Sequence, residues 1–360
     1  MTEVAALRRL RPSGDRTGRA LAVTAGTLLL ALAAGVLSVS SGPTGVGLGD
    51  LLTYLTEGAA AVGDRERLVL EAIRLPRAML GALVGAALAV SGAMMQGLFR
   101  NPLADPGLVG VSSGAATAAV VVIVLGAGVL GPLAALLGVH LLPIAAFLGA
   151  LVNTLVLYRL ATAKGRTSTA TLVLAGIAVG ALSGAVTGLM VFGASDAQLR
   201  DFTFWSLGSL GGATPARILA ILPFIAVVFL AIPFVARGLD ALVLGEAEAH
   251  HMGVPVQTLK RVVIVCVAAA SGATVAVTGT IGFVGIVVPH LIRLAIGPGH
   301  RFLLPASAFA GAALLLLADT AARLVVAPAE LPIGIVTALF GAPVFLAILI
   351  NHRNGPLSGE

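Results

Sequence analysis

The chain has 360 residues, of which 58% are hydrophobic and only 11% are charged, and its formal net charge is +6. A soluble protein carries about 25% charged residues, so this composition excludes an ordinary soluble domain and predicts an integral membrane protein. The positive charges stand at the ends of apolar runs and form no basic stripe with interleaved aromatic residues, which disfavours nucleic-acid binding.

The N-terminal segment combines a cluster of arginines with an apolar run over residues 20–39. That run is longer than the roughly 7–15 apolar residues of a cleaved signal peptide. We therefore expect an uncleaved membrane anchor whose N-terminus lies in the cytoplasm. The arginines that precede the run are Arg8, Arg9, Arg11, Arg16 and Arg19.

Hydropathy predicts ten membrane-spanning helices in one all-α domain at 20–350, between cytoplasmic tails at 1–19 and 351–360. The predicted spans are 20–39, 77–99, 110–131, 140–158, 171–193, 215–236, 262–280, 281–297, 303–326 and 333–350. An even number of spans places both termini on one side of the membrane. With the termini in the cytoplasm, 15 of the 22 Lys and Arg lie on the cytoplasmic side and 7 lie outside, as the positive-inside rule expects.

Two places in this order predict interrupted helices. The third span follows Pro102 and Pro106, and the seventh span meets the eighth in the glycine-containing segment 278–285. Interrupted helices occur at membrane depth only where protein or a water-filled cavity covers the freed backbone groups. We therefore expect each segment to be covered by neighbouring helices or to line a cavity.

A repeat relates segments 141–151 and 303–313, which are identical at 7 of 11 positions and lie 162 residues apart. These segments open the fourth and the ninth spans, which must run in opposite directions because they are five spans apart. We interpret the similarity as an inverted repeat relating spans 2–5 to spans 7–10, as in many transporters. Chance coincidence of Leu, Ala and Gly in a membrane sequence is the alternative.

The fifth span carries glycines at four-residue spacing, which places them on one helix face without side chains. Two interpretations remain open. The face packs tightly against a neighbouring helix of the same chain, or it faces a second copy of the chain with a pathway between the two. The glycines are Gly176, Gly180, Gly184 and Gly188.

The connection between the sixth and seventh spans, residues 237–260, is the longest predicted cytoplasmic segment after the N-terminal tail. Its segments 239–244 and 246–252 predict two short helices, ended by Gly245 and Gly253. Exposed apolar residues in this connection favour a docking surface for a soluble partner. A lid that packs on its own bundle is the alternative.

Few charged or metal-binding groups are predicted within the spans. Asp319 and Arg323 stand four residues apart on one helix, which favours a structural ion pair over the proton relay of a secondary carrier. The histidines show no metal-binding spacing, and the neighbouring His250 and His251 fit a solvated turn. His290 falls inside the eighth span, where we expect a packed, hydrogen-bonded side chain.

The sequence also bears on nucleotide binding. A Walker A loop needs Gly-Lys followed by Ser or Thr. The only lysines, Lys164 and Lys260, follow an alanine and a leucine. The chain therefore lacks this phosphate-binding loop, and any use of ATP requires a partner.

Four motifs, in their order along the chain, resemble the permease subunits of type II ABC importers, the family that moves cobalamin, ferric siderophores and haem. They are Arg-Leu-Pro-Arg at 74–77, Gln-Gly-Leu-Phe-Arg-Asn-Pro-Leu-Ala-Asp-Pro at 96–106, Gly-Thr-Ile-Gly-Phe-Val-Gly-Ile-Val-Val-Pro-His-Leu-Ile-Arg at 279–293, and Glu-Leu-Pro-Ile-Gly at 330–334. The resemblance covers 74–350. It implies the ten-helix permease fold of that family, a homodimer, two cytoplasmic ATPase subunits and an extracytoplasmic binding protein.

The resemblance also implies three groups of functional residues. Those matching the docking pocket for the binding protein are Arg74, Arg77 and Arg323. Those matching the helices that couple to the ATPase are Leu239, Leu242, Leu244, Gly245, Glu246, Met252 and Gly253. Those matching the inner gate are Thr169 and Ala170, and the glycine face of the same span is the candidate translocation pathway, with Gly176, Gly180, Gly184 and Gly188. Ala170 stands where the cobalamin permease has a hydroxyl residue, so its gating contact differs.

Within the family, segments 95–100 and 195–212 most resemble haem permeases. The resemblance therefore implies a multi-pass protein of the bacterial inner membrane that takes haem from a periplasmic binding protein. It implies no intrinsic cofactor or metal, and ATP and Mg bound by the partner ATPase. Import of a ferric siderophore or cobalamin by the same machinery is the alternative, and a proton-driven secondary carrier is a further one.

Overall fold

A computed structural model of the chain describes residues 16–353, which are helical almost throughout. The helices are α1 (Thr17–Ser40), α2 (Leu48–Glu57), α3 (Asp64–Leu68), α4 (Leu75–Phe99), α5 (Val111–Leu125), α6 (Gly131–Leu137), α7 (Leu141–Ala161), α8 (Thr169–Phe192), α9 (Asp196–Ser206), α10 (Pro215–Leu244), α11 (Glu246–His251), α12 (Val256–Thr278), α13 (Val284–Ile296), α14 (His300–Leu324) and α15 (Ile333–Arg353). A short hairpin joins β1 (Thr162–Ala163) to β2 (Arg166–Thr167). The predicted cytoplasmic arginines Arg8, Arg9 and Arg11, and the tail beyond Arg353, lie outside the described residues.

Seven helical stretches in the described part of the chain are long and apolar enough to cross a membrane. They are α1, the continuous helix Asp64–Phe99 that ends with α4, the stretch Gly131–Ala161 that ends with α7, and α8, α10, α12 and α14. Shorter apolar helices occupy α5, α13 and the first part of α15. The 13 residues of α13 extend about 20 Å, which is less than the roughly 30 Å of a hydrocarbon core. Every predicted span therefore coincides with an apolar helix, while the count of ten crossings stays a prediction.

The interruption expected in segment 278–285 is present. Helix α12 ends at Thr278, where Gly279 adopts a φ of +70°, and α13 begins only at Val284. The Thr278 carbonyl accepts a hydrogen bond from the Ser209 backbone N–H at 2.7 Å, so a neighbouring loop covers a freed backbone group. The other predicted interruption is also present, because a 3₁₀ turn at Pro106–Val109 separates α4 from α5.

The helices are buried to very different extents. In the most apolar stretch of the α4 helix 83% of residues are buried, and the corresponding values are 72% for α12 and 67% for α14, but only 6% for α8.

Glycines allow the central helices to approach closely. A Cβ at Gly92 of α4 would overlap the Gly285 carbonyl of α13, and a Cβ at Gly85 would overlap the Gly311 carbonyl of α14. The centre of the bundle is therefore built from backbone contacts between small residues.

The two repeat segments open helices that run in opposite directions. Helix α7 ends beside α12, where Tyr158 accepts a hydrogen bond from Arg261, whereas α14 ends beside the start of α4, where Asp319 contacts Arg77. The glycine that the two segments share packs closely in both. A Cβ at Gly149 would overlap the Gly114 carbonyl of α5, as a Cβ at Gly311 would overlap that of Gly85. The opposite directions agree with an inverted repeat.

One expectation for segment 237–260 is wrong. Residues 239–244 form no separate helix, because α10 continues without a break to Leu244. Only the second short helix is present, as α11, and it is followed by Gly253 with a φ of +81°. The sequence interpretation ended the sixth span at the arginine at its membrane boundary, but a helix crossing a membrane can extend beyond it.

The sequence interpretation also missed α2, the hairpin and α9. The start of α9 could have been predicted from the sequence, because Ser195 and Gln198 have the spacing of a capping box. In the structure the Ser195 N–H donates to Gln198 Oε1 at 2.9 Å. The hairpin turn places Lys164 and Gly165 at φ values of +49° and +74°, as a tight two-residue turn requires.

We predict that Gly92→Ala destabilises the bundle, because the added methyl group must displace the backbone of α13. Overpacking of this kind lowers the free energy of unfolding by about 1–3 kcal/mol, measurable by thermal unfolding in detergent. Gly35→Ala is the matched control, because no atom of the described chain lies within 4 Å of a Cβ at Gly35 on α1. Equal melting temperatures for the two variants would contradict the assigned packing.

Candidate functional site

Three arginines predicted to act together do lie together, at one end of the bundle that we call the arginine end (Arg74, Arg77 and Arg323). Arg77 donates two hydrogen bonds to Asp319 Oδ1, one from Nε at 3.0 Å and one from Nη2 at 2.9 Å. Its Nη1 lies 2.9 Å from Glu330 Oε1. Arg323 donates from Nε to the other oxygen of Asp319 at 3.0 Å. The predicted ion pair between Asp319 and Arg323 is confirmed, and Arg77 is its additional member.

The other N–H groups of this cluster donate hydrogen bonds to backbone carbonyls at the end of α1. Arg323 Nη1 donates to the Ser41 carbonyl at 2.8 Å and Nη2 to the Ser38 carbonyl at 3.0 Å. Arg74 donates from Nη1 to the Val39 carbonyl at 2.7 Å. The last carbonyls of a helix have no partner within the helix, so guanidinium groups beside them satisfy acceptors and favourably oppose the helix dipole. The cluster thereby joins α1, α4 and α14.

The burial of the arginines bears on their predicted docking role. Arg74, Arg77 and Arg323 are only 3%, 8% and 6% exposed, and each guanidinium group is turned into the bundle. Glu330, whose side chain is 47% exposed, is the part of the cluster that solvent reaches. Reversing the charge of Arg77 would therefore place two carboxylates together at Asp319, which makes that substitution unsuitable as a test of docking. The docking role itself stays a prediction.

Polar contacts at the rim of the arginine end involve α2. The Tyr54 hydroxyl donates to Glu71 Oε1 at 3.0 Å, and this hydrogen bond to a carboxylate raises the pKa of Tyr54 above its ordinary value. Glu71 also lies 3.8 Å from Arg67, an exposed pair on the same helix. Exposed ion pairs contribute little to stability, so this rim is a solvated surface rather than a second buried cluster.

The opposite end of the bundle, which we call the α11 end, divides the predicted coupling residues into two groups. Exposed ones are Leu244, at 66%, and Met252, at 54%, together with Gly253 and part of Glu246. Leu239 and Leu242 are 0% and 1% exposed, and Gly245 is also buried. The buried residues therefore belong to the interior of the bundle, and only the exposed ones are accessible to a partner. His250 and His251 are exposed beside them, as expected for a solvated turn.

The predicted gate residues open α8. Ser168 caps this helix by accepting a hydrogen bond from the Thr171 N–H at 3.2 Å, and Thr169 and Ala170 form its first turn, in which Ala170 is exposed. Gly176 packs against its own chain, because a Cβ there would lie 2.6 Å from the Leu108 carbonyl. Packing within one chain therefore accounts for the first glycine of the stripe.

The other glycines of α8 behave differently. Beyond the backbone of α8 itself, no atom of the described chain lies within 4 Å of a Cβ at Gly180, Gly184 or Gly188. Large apolar residues of the same helix are exposed as well, including Leu182 at 66% and Leu189 at 65%. The interpretation that this stripe packs against a helix of its own chain therefore fails over its last three glycines.

The sequence interpretation missed three polar contacts near the α11 end. Asp240 Oδ1 accepts from both the backbone N–H and Nδ1 of His300 at 2.7 Å, which caps α14 with a side chain from α10. Gln96 bridges α4 to α13 through the Ile286 carbonyl at 3.1 Å. Lys260, 2% exposed, contacts Glu246 and the hairpin. Their partners are 60 or more residues away except in the Lys260–Glu246 pair, so sequence spacing gave no signal for most of them.

These features define a class of protein: a multi-pass helical membrane permease with a broken helix pair, a buried charge cluster at one end and an exposed helix at the other. The chain belongs to the FecCD transport family, whose model matches residues 29–351. It is 49% identical over 281 residues to the hemin transport system permease protein HmuU of Yersinia pestis, covering 78% of this chain and 83% of that protein. It is 44% identical over 302 residues to the cobalamin import system permease protein BtuC of Halobacterium salinarum, covering 84% and 79%.

A solved structure supports the same assignment. The fold matches an inward-facing conformation of a metal-chelate type ABC transporter with a TM-score of 0.77 and 28% identity, covering 92% of this chain and 99% of the other. The protein is therefore a permease subunit of a type II ABC importer, and ATP hydrolysis belongs to partner ATPase subunits. The fold and family expected from the four sequence motifs are confirmed.

We predict that Asp319→Asn strongly destabilises the protein. The substitution keeps the shape of the side chain but leaves two buried guanidinium groups without their shared charge, and breaking a buried pair costs about 3–5 kcal/mol. Thermal unfolding in detergent measures the effect. Glu330→Gln is the matched control on the same arginine, and because Glu330 is half exposed its loss should cost less than about 1 kcal/mol. A larger effect of Glu330→Gln would show that the rim contact dominates.

Proposed function

We propose that this permease forms a homodimer in the bacterial inner membrane and carries haem from a periplasmic binding protein to the cytoplasm. The similarity to a hemin permease over most of the chain supports haem, and so does the resemblance of segments 95–100 and 195–212 to haem permeases. In this arrangement the arginine end faces the periplasm, the α11 end faces the cytoplasm, and both termini are cytoplasmic. The excess of Lys and Arg on the α11 side supports that orientation.

The unpacked face of α8 supports a second copy of the chain as its neighbour. In a membrane, glycines at four-residue spacing allow two helices to approach closely, whereas a face that meets only lipid gains nothing from missing side chains. Gly180, Gly184 and Gly188 have no partner atom within 4 Å among the described residues. We assign this face to the dimer interface and to the pathway beside it, with Thr169 and Ala170 at the inner gate.

The exposed surface of α11 supports docking of the ATPase. Leu244 and Met252 present apolar side chains to solvent at the two ends of this short helix. Exposed apolar residues at neighbouring positions favour a docking surface, and Val243, which is also exposed, extends this one. Leu239 and Leu242 are buried in the bundle and cannot themselves contact a partner. ATP and Mg are bound by the partner, and haem is the transported substrate rather than a resident cofactor.

The arginine end supports docking of an acidic binding protein more by electrostatic attraction than by direct contact with the arginines. Arg74, Arg77 and Arg323 face two carboxylates, those of Asp319 and Glu330, so this buried cluster by itself carries one positive charge in excess. A local positive charge favours the approach of an acidic group even where the charged groups are partly covered. Carboxylates on the binding protein would compete with Glu330 for Arg77.

A proton-driven carrier is the weaker alternative. Its relay would have to use Asp319, but both oxygens of that carboxylate already accept hydrogen bonds from Arg77 and Arg323. A ferric siderophore or cobalamin is the alternative cargo for the same machinery, and the similarity to a cobalamin permease supports it.

We predict ATP-dependent uptake of haemin by vesicles that contain the permease, its ATPase and a loaded binding protein. Competition with a ferric siderophore and with cobalamin identifies the preferred cargo. A vesicle whose ATPase carries an inactivating Walker A substitution is the control. Uptake that persists in this control, driven by a pH gradient, would favour the carrier. Exclusive uptake of cobalamin would keep the importer and reject haem.

We predict that Glu330→Gln accelerates association with the binding protein at low ionic strength. The substitution removes one negative charge from the cluster and frees one Arg77 donor for the partner, and we expect an increase of up to about tenfold, within the variation of association rates among mutants of one interface. Surface plasmon resonance on reconstituted nanodiscs at two salt concentrations measures the rate. Glu57→Gln, at the exposed end of α2, is the control. Slower association for Glu330→Gln would argue against docking through this cluster.

A further inference from the structure

Lys260 has an environment that needs explanation. Its residue is only 2% exposed, whereas the other lysine of the chain, Lys164, is exposed at the hairpin turn. Burying an ammonium group is unfavourable unless it is paired with a charge and hydrogen-bonded. The groups that pair with the buried ammonium of Lys260 therefore identify the elements that this side chain connects.

Lys260 Nζ joins three elements of the α11 end. It lies in the first turns of α12, 2.7 Å from Glu246 Oε1 on α11. The same nitrogen donates to the Thr167 carbonyl of β2 at 2.7 Å. One ammonium group therefore contacts the exposed short helix and the hairpin that leads into α8. We call Lys260, Glu246, Gln257 and Thr167 the lysine clasp.

Gln257 makes the second hydrogen bond between α12 and the hairpin. Its Oε1 accepts a hydrogen bond from the Thr167 N–H at 2.8 Å. Gln257 and Lys260 are three residues apart on one helix and so project from the same face. Side chains of α12 thus bind both backbone polar groups of Thr167. The next residue, Ser168, is the cap of α8, so the beginning of α8 is fixed to α12 through two consecutive residues.

We propose that Lys260 is a positioning residue that transmits displacement of α11 to the first turn of α8. This inference rests on the proposed function, in which α11 meets the ATPase and the start of α8 forms the inner gate. A force on α11 moves Glu246, and the charged hydrogen bond carries that movement through Lys260 to Thr167. Without the clasp, the movement would be absorbed by the exposed turn Met252–Pro255, and α8 would not follow.

The test measures haemin uptake and ATP hydrolysis in the same vesicles that contain the permease, the ATPase and the binding protein. Lys260→Met keeps an unbranched side chain but removes both contacts of Nζ. Uptake per ATP hydrolysed should fall by about tenfold, within the range of coupling between linked sites, while ATP hydrolysis changes less than about twofold. Lys260→Arg, which retains charge and donors, should restore most of the coupling. Lys164→Met is the matched control and should behave as wild type.

Two further variants separate this role from a general loss of stability. Gln257→Leu breaks the hairpin contact without touching a charge, and it should lower uptake per ATP in the same direction even if Lys260→Met folds poorly. Glu246→Gln should lower coupling in the wild-type chain but add nothing in the Lys260→Met background, because both substitutions remove the same contact.

The outcomes distinguish this inference from the proposed function. Uptake by wild type together with unchanged coupling in Lys260→Met and Gln257→Leu would overturn the positioning role and leave the importer in place. A parallel fall of uptake, hydrolysis and folded complex in both variants would also overturn it, since the clasp would then be structural only. Absence of ATP-dependent uptake by wild type would overturn the proposed function and the inference with it.

Discussion

The arrangement of this permease depends on how it compensates charge that lies within a helical bundle. Asp319 is 2% exposed and receives hydrogen bonds from Arg77 of α4 and Arg323 of its own helix. Charges in such surroundings persist only when paired and hydrogen-bonded. The shared carboxylate satisfies this condition for two arginines at once. Through their remaining donors it fixes the end of α1 and the relative positions of α4 and α14.

The rest of the bundle is held by contacts that need no charge. Glycines at Gly85, Gly92 and Gly311 bring backbones of α4, α13 and α14 together, where a single added methyl group would overlap a carbonyl. Helix α8 also carries spaced glycines, but beyond its own backbone no atom of the described chain lies within 4 Å of a Cβ at its last three. Small residues therefore close the centre of the bundle, and on α8 they form the face that we propose for the dimer interface.

The two ends of the molecule use buried cations in different ways. At the arginine end, guanidinium groups donate hydrogen bonds to carbonyls at the end of α1 and to Asp319, so the cluster holds α1, α4 and α14 in a fixed arrangement. At the α11 end, Lys260 contacts the Thr167 carbonyl and the half-exposed side chain of Glu246. A link with one partner at the surface can move with that surface. This difference agrees with the proposed orientation, in which the arginine end receives the binding protein and the α11 end meets the ATPase.

The sequence by itself determined the membrane class, the helical segments, the broken helices and the family, because these follow from local composition and from motifs contiguous in the chain. It also identified the pair Asp319 and Arg323, since four-residue spacing on a helix is a local property. It did not reveal that Arg77 shares that carboxylate, that Leu239 and Leu242 are buried, or that Lys260 binds Thr167. Residues 242 or 93 positions apart meet only when helices pack, and hydropathy does not encode which helices become neighbours. Only the tertiary structure decided these contacts, because burial makes each buried cation require a partner, and the partner is supplied by whichever element the fold brings within hydrogen-bonding distance.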